Sequence, residues 1–227
     1  MNLFCSAIKM IFATLLVLSA KNLSAQSPHQ PLRQTAPGIF QVGAVQLNKE
    51  KRTIHFPATI NMTNGPVEYF VVNGTGKLHE SVLRTEIDPS QIHVAMLLLG
   101  VRVQTNFVGT NIVGDKFIME VSWKNGETET RTRAENLVIN SKTKSPLNKE
   151  GWIYNGSKEV DGTFIAQRDG SIVSIITDPL ALANSLQPDR DNDDIWSVNT
   201  NTIPPLNTAV EVTFQLERPQ ISTEGTK

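Results

Sequence analysis

Apolar residues recur at every second position through several stretches of the chain. Thr53 to Ile60 places Ile54, Phe56 and Ala58 at period two, and Val67 to Val72 follows as a short apolar run. That spacing sends alternate side chains to one face of a strand. Asn64-Gly65 between the two runs is turn chemistry and predicts a hairpin. Phe117, Met119, Val121 and Trp123 share one face of a strand over Phe117 to Trp123. Further strands are predicted over Trp152 to Tyr154, Thr163 to Ala166, Ser171 to Ile176 and Ala209 to Leu216, with Asp169-Gly170 as a second hairpin turn. One segment departs from period two. Asp88 can cap a helix, Pro89 suits its first position, and Gly100 suits its C-terminal end. Its interior is apolar almost all round from Ile92 to Leu99, the pattern of a buried helix. A second, shorter helix is predicted from Asp178-Pro179 through Ala183. The sum is an α+β fold: a β-rich single domain with antiparallel hairpins and one buried helix at about 89–99.

The ends read differently. Lys9 precedes the apolar run Met10 to Ala20, and small residues follow at Leu23-Ser24-Ala25. The run is shorter than the roughly 20 residues that a helix needs to cross a bilayer. Charge, short apolar core and small-residue exit predict a signal peptide over 1–25, cleaved after Ala25, with Ala20 as the second choice. Residues 26–37 are polar, carry prolines and read as a flexible leader; 218–227 read as a tail. The globular domain is placed at 38–217, and the polar loop near 140–150 is a candidate boundary between two lobes of it. No later run is long enough for a membrane span. The expected product is exported, periplasmic or extracellular, and soluble after cleavage.

Composition narrows the chemistry. Cys5 is the one cysteine and lies in the predicted signal, so a mature chain has no disulfide, no cysteine-bound zinc and no iron–sulfur cluster. Nineteen basic and 22 acidic residues remain once Lys9 and Lys21 leave with the signal. That balance gives no footprint for nucleic acid or an anionic membrane. The expected partner is an envelope protein or ligand of unknown identity.

Residues able to bind a metal concentrate between Glu68 and Gly100. Glu68, His79 and His93 could ligate zinc or a similar divalent ion, with Glu80 as general base on the bound water of a hydrolase. The plainer reading makes His93 a hydrogen-bonded histidine of a buried helix and His79 a turn residue. Successive residues of an extended segment face opposite ways, so His79 and Glu80 serve one metal only where the backbone turns. A Ser81–His79 nucleophile pair lacks the elbow that serine esterases use. Gly74-Thr75-Gly76-Lys77 resembles a phosphate loop superficially, but Val71 and Leu78 stand where the motif needs glycine and a hydroxyl residue. Asp189, Asp191 and Asp193 match the opening of a calcium loop, whereas Asp194 and Thr200 fall where glycine and glutamate belong. Trp152, Tyr154 and Trp196 could stack on a sugar or could simply be core. Asn61, Asn73 and Asn155 begin glycosylation sequons, which matter only in a eukaryotic host.

Several of these stretches together resemble the YdjY-domain family of exported bacterial proteins. The likeness rests on Glu68, on Gly76-Lys77-Leu78-His79-Glu80-Ser81-Val82-Leu83 and on Ala95-Met96-Leu97-Leu98-Leu99-Gly100. In the second half it rests on Trp152-Ile153-Tyr154, Gly156-Ser157, Gly170-Ser171-Ile172-Val173-Ser174, Thr177-Asp178-Pro179, Asp193-Asp194, Trp196 and Ile203-Pro204-Pro205. It covers nearly all of the mature chain. The resemblance implies a bacterial, exported protein whose sequons go unused, and it brings no mechanism. Some relatives carry a ferredoxin-like label, which cannot mean an iron–sulfur cluster in a cysteine-free chain. Two functions are therefore carried forward: a binding or accessory module of the cell envelope, and a metal-dependent hydrolase built on Glu68, His79, Glu80 and His93.

Overall fold

Strands carry the fold in the computed structural model, which describes residues 32–103 and 113–217. The predicted signal peptide, residues 26–31 of the predicted leader and the predicted tail lie outside the described residues. In chain order the strands of the first half are β1 (Arg33–Ala36), β2 (Ile39–Val42), β3 (Val45–Asn48), β4 (Thr53–Ile60), β5 (Tyr69–Asn73) and β6 (Ser81–Thr85). Helix α1 (Pro89–Leu98) follows, then β7 (Asp115–Asn125), β8 (Thr128–Arg133), β9 (Val138–Asn140) and β10 (Trp152–Tyr154). The chain ends with β11 (Glu159–Val160), β12 (Thr163–Phe164), α2 (Ile165–Asp169), β13 (Ser171–Ser174), β14 (Ala183–Ser185), β15 (Trp196–Val198) and β16 (Ala209–Leu216).

Eight strands close on themselves. The order β4–β16–β7–β10–β14–β13–β5–β6 returns to β4, where Thr59 pairs with Arg84 and Ile60 with Leu83. The result is a barrel. The β1–β2–β3 meander extends from the other end of β4, through Gln46↔His55 to Asn48↔Thr53, and β8 extends from β7. Both halves of the chain supply barrel strands, so the loop at 140–150 does not divide the barrel.

Alternation along β4, β7 and β16 decides what the barrel encloses. Ile54, Phe56, Ala58 and Ile60 are buried from β4, Phe117, Met119 and Val121 from β7, and Val212, Phe214 and Leu216 from β16. Rings link these strands: Phe214 lies 5.3 Å from Phe56 and 4.5 Å from Phe117, centroid to centroid. Trp152, Tyr154 and Trp196 are buried too, so the sugar-stacking arrangement gives way to an aromatic core.

Several local expectations are corrected by long-range pairing. Asn64-Gly65 does not make a hairpin: β4 and β5 are not neighbours, and Gly65 O instead accepts from Val198 N (3.0 Å) and Ser197 Oγ (2.8 Å). Asp169-Gly170 is also no hairpin, because Thr163 to Ala166 is a strand only to Phe164 and turns into α2. Gly170, left-handed at φ 67°, closes that helix. Residues 178–183 form no helix; they make a turn that runs into β14. Arg33–Ala36, expected to be flexible, pairs with β2.

Helix α1 is where predicted, but it is not buried all round. Ile92, Ala95 and Met96 face the core, while Val94 and Leu97 are exposed. Asp88 does not cap it through its side chain. Gln167 of α2 does so from outside the helix, with Oε1 accepting from Ser90 N (3.1 Å) and Nε2 donating to Asp88 Oδ1 (3.1 Å).

A second polar contact pins the turn between β8 and β9. Glu135 is fully buried, and Arg133 donates to it twice, at 3.0 Å from Nε and 2.6 Å from Nη2. Glu135→Ala should destabilise the fold by about 3 kcal/mol, because it strands a half-buried guanidinium without its partner. Urea unfolding measures this, and a loss under about 0.5 kcal/mol, the level of an ordinary surface change, would show that the pair is dispensable.

Candidate functional site

One register brings the candidate residues together. β5 and β6 run parallel with Tyr69 opposite Ser81, so the residues just before them, Glu68 and Glu80, become neighbours. Parallel strands usually need a crossover of a dozen or more residues; here residues 74–80 make the return alone. Gly76 allows this tight path, since a Cβ on it would lie 2.9 Å from Val72 Cβ and 3.0 Å from Gly170 O. The return ends in a 3-10 turn, Leu78–Glu80, and Glu68 N donates to Glu80 O at 2.9 Å.

Lys77 fills the space between the two carboxylates. Its Nζ lies 3.0 Å from Glu68 Oε2 and 2.7 Å from Glu80 Oε1, and 5.2 Å from the centre of the Tyr69 ring. Burial opposes the lysine's charge, but Glu80 and Glu68 outweigh it and hold the ammonium protonated well above its ordinary range. The Tyr69 hydroxyl donates to Asp178 Oδ2 at 3.0 Å. Burial first, and then the Asp178 charge, push that phenol far up, so it remains a donor.

Asp178 is set in place from beneath by two buried asparagines. Asn184 accepts from Asp178 N (2.7 Å) and donates to Asp178 O (2.8 Å) and Asn155 Oδ1 (3.0 Å). Asn155 in turn donates to Ala181 O and Pro179 O. Each amide therefore satisfies backbone groups that a turn would otherwise leave unpaired. The groove above this framework has a volume of about 670 Å³, with Tyr69, Lys77, Arg168, Ile176, Asp178 and Leu180 among its lining. Arg168 and Asp169 at its edge pair with each other.

The sequence-predicted ligands do not form one constellation. Glu68, Glu80 and His79 gather around Lys77, and of the three only His79, largely exposed and 3.7 Å from Glu80, lines the groove. His93 lies elsewhere, on α1, with Nδ1 3.0 Å from the Tyr154 hydroxyl and its ring against Phe164. Among the described residues no group of three or more His, Cys, Asp or Glu is placed to hold a metal ion. In the 189–194 loop, Asp191 instead accepts from the Thr177 hydroxyl, and Asp193 opens a 3-10 turn capped by Asn192. Ser81 is buried and donates to Lys77 O, not to His79.

Sequence reasoning missed Tyr69, Asp178, Asn155 and Asn184. Asp178 was visible as a helix cap and Asn155 as a sequon, but neither role survives. The signal that could have found them is the run of polar residues (Asn155, Ser157, Asn184, Ser185) inside otherwise apolar strand ends.

Residues 45–215 match the family model for the YdjY domain. The chain belongs to the YdjY family. The match begins at the first residue of β3 and stops one short of the end of β16, so the YdjY domain is the whole barrel, with β1 and β2 outside it. No curated protein and no solved structure matches the chain.

Two histidines of the YdjY domain are held neutral. Burial lowers His93, and no charged group offsets it. His55, on the outer face of β4, sits between the hydroxyls of Thr53 (3.0 Å) and Thr213 (2.9 Å). It too is lowered by burial, against the opposing pull of Glu211. Their unfolded forms bind a proton near the ordinary 6.5, before the folded forms do. Their contribution to stability is thus fully present above that pH and is lost as pH falls below it. Unfolding free energy should drop between pH 7.5 and 5.5, each histidine adding a slope of at most about 1.4 kcal/mol per pH unit. His93→Gln should flatten the curve; an unchanged pH profile in that variant would remove His93 from the account.

Proposed function

We propose that this protein is an exported binding module of the bacterial cell envelope, which holds a small polar ligand in the groove over Tyr69 and Asp178. One observation carries the reading. Two stretches far apart in sequence, 69–79 and 168–180, line a single concavity, and a buried asparagine pair holds the Asp178 turn in advance. Pre-oriented polar groups around an apolar floor are what a ligand site requires, because little ordering remains to be done on binding. The same geometry weighs against the hydrolase reading: a lysine ammonium stands between the carboxylates where a metal would sit, and His93 faces Tyr154. Export is supported by the charge, apolar core and small-residue exit of the first 25 residues.

A panel of charged and neutral metabolites screened by thermal unfolding tests the groove, with Thr75→Trp as the variant that fills it from an exposed position. A ligand at 100 times its Kd adds about 2.7 kcal/mol, which shifts Tm by roughly 5–10 °C for a domain of this size. The expected result is a compound that raises Tm in the wild type and not in Thr75→Trp. Compounds that act equally on both, or none at all, would sink the reading. Export is tested by fractionating bacteria that express the chain with and without residues 1–25; the full chain should reach the periplasm and the shortened one should stay in the cytoplasm.

A further inference from the structure

Strand β8 lies outside the closed ring and pairs on one side only, with β7. Gly126 (φ 64°) and Glu127 make a two-residue turn between them, so Asn125 and Thr128 close the hairpin as a hydrogen-bonded pair. Bonded and non-bonded pairs alternate from there. Thr128, Thr130 and Thr132 turn their backbone groups toward Asn125, Trp123 and Val121 of β7. Glu129 and Arg131 therefore point N–H and C=O away from β7. Among the described residues no backbone hydrogen bond reaches those two from the other side. Open edges are commonly guarded by proline, lysine or a bulge. The outer strand β1 has a bulge between Gln34 and Ala36. β8, Thr-Glu-Thr-Arg-Thr-Arg, has none of the three and pairs with β7 without a break in register. Every second residue is a threonine, which favours extended backbone.

Charge is the guard this edge does have, and its order admits one partner. Glu127 and Glu129 come first, then Arg131 and Arg133. An acidic half followed by a basic half is complementary to itself when run antiparallel. With Thr130 facing Thr130 of a second copy across a twofold axis, Glu129 lies opposite the copy's Arg131, and Arg131 opposite its Glu129. Both residues turn their backbone groups outward, so each of these pairs also exchanges two backbone hydrogen bonds. Thr128 falls opposite the copy's Thr132, a favourable cross-strand pair. The neighbouring registers that keep outward groups face to face fare worse. They set Glu129 against Glu129, or Arg131 against Arg131, on the axis itself, and like charges directly opposed are destabilising. Within one chain Arg131 reaches Glu120 and Glu129 only at 3.4 and 3.3 Å. Such solvent-screened contacts are weak, so the guanidinium can turn to a carboxylate across the axis.

We propose that this protein forms a twofold homodimer through β8, in which the edges of two copies join into one antiparallel sheet with Thr130 at the axis. The interface shares no residue with the groove and does not depend on it. A contact one strand wide is small beside the interfaces of permanent dimers, so the association is reversible and depends on concentration.

Sedimentation equilibrium of the purified protein over a range of concentrations tests this. The wild type should pass reversibly from monomer to dimer as concentration rises, and added salt should weaken the dimer. Arg131→Glu sets glutamate against glutamate at both symmetric positions and should weaken dimerisation about tenfold or more. Glu129→Arg combined with Arg131→Glu rebuilds the pairs with their signs exchanged and should restore it. A dimer indifferent to Arg131→Glu overturns the proposal, as does a double variant that dimerises no better than the single one. A wild type still monomeric at about 1 mM, the weak end of specific association, also overturns it and leaves the edge to a strand of another protein. Should the variants fail to fold, amide hydrogen exchange of the wild type, followed by NMR, decides. The N–H groups of Glu129 and Arg131 should become protected as concentration rises, while those of Thr128 and Thr130, bonded to β7, are protected throughout. Fast exchange at Glu129 and Arg131 in a dimeric sample would place the interface elsewhere.

Discussion

Everything in this molecule depends on the seam where β6 meets β4. Its ladder pairs Thr59 with Arg84 and Ile60 with Leu83, hydrogen bonds from Thr85 to Pro57 and from Asn61 to Val82 flank it, and with it the eight-stranded sheet has no open edge around the ring. Closure is what surrounds Phe56, Phe117 and Phe214 with partners on every side. It also fixes β6 beside β5, in the parallel register that sets Glu68 against Glu80. The candidate site is thus a by-product of how the barrel shuts: the loop that brings the chain back for the closing strand is the loop that carries Lys77.

The rim opposite that loop is held in a different way. There the backbone between β13 and β14 makes only a few scattered hydrogen bonds, such as Ala181 N to Asp178 O, and the amides of Asn155 and Asn184 add the rest. Such a framework tolerates little change, because each amide serves several backbone groups at once. It gives Asp178 a fixed position in a part of the chain that would otherwise be free to move. One wall of the groove is therefore set by strand register and the other by side-chain amides.

How much of this could be read beforehand follows from the range of each interaction. The strands β4, β7, β10 and β16 were legible because alternation is local, and so was α1, whose boundaries are marked by Pro89 and Gly100. The barrel was not, since nothing within β4 or β6 announces that they pair. The hairpins at Asn64-Gly65 and Asp169-Gly170 failed for the same reason: a turn sequence permits a reversal, and distant strands decided against it. At the site, Glu68, His79 and Glu80 are close both in sequence and in the fold. Its arrangement is not legible there, because Lys77 stands in an incomplete phosphate-loop pattern and Tyr69 in an apolar run, and only the parallel register of β5 and β6 brings them together. His93 was drawn into the group by proximity along the chain, although α1 carries it to Tyr154 instead.

The placement of β16 bears on how such a chain comes into being. It is the last strand, yet it lies between β4 and β7 in the ring. A chain that emerges N-terminus first, from a ribosome or through a membrane pore, therefore has β4 and β7 waiting with bare flanks until Ala209–Leu216 arrives. The barrel cannot be assembled stave by stave; it must wait for its final piece and then fold across long sequence distances, a slow kind of topology. During that interval the unfinished edges are open to pairing with other chains, so the order in which the strands are delivered makes vectorial synthesis the most exposed moment in the life of this protein.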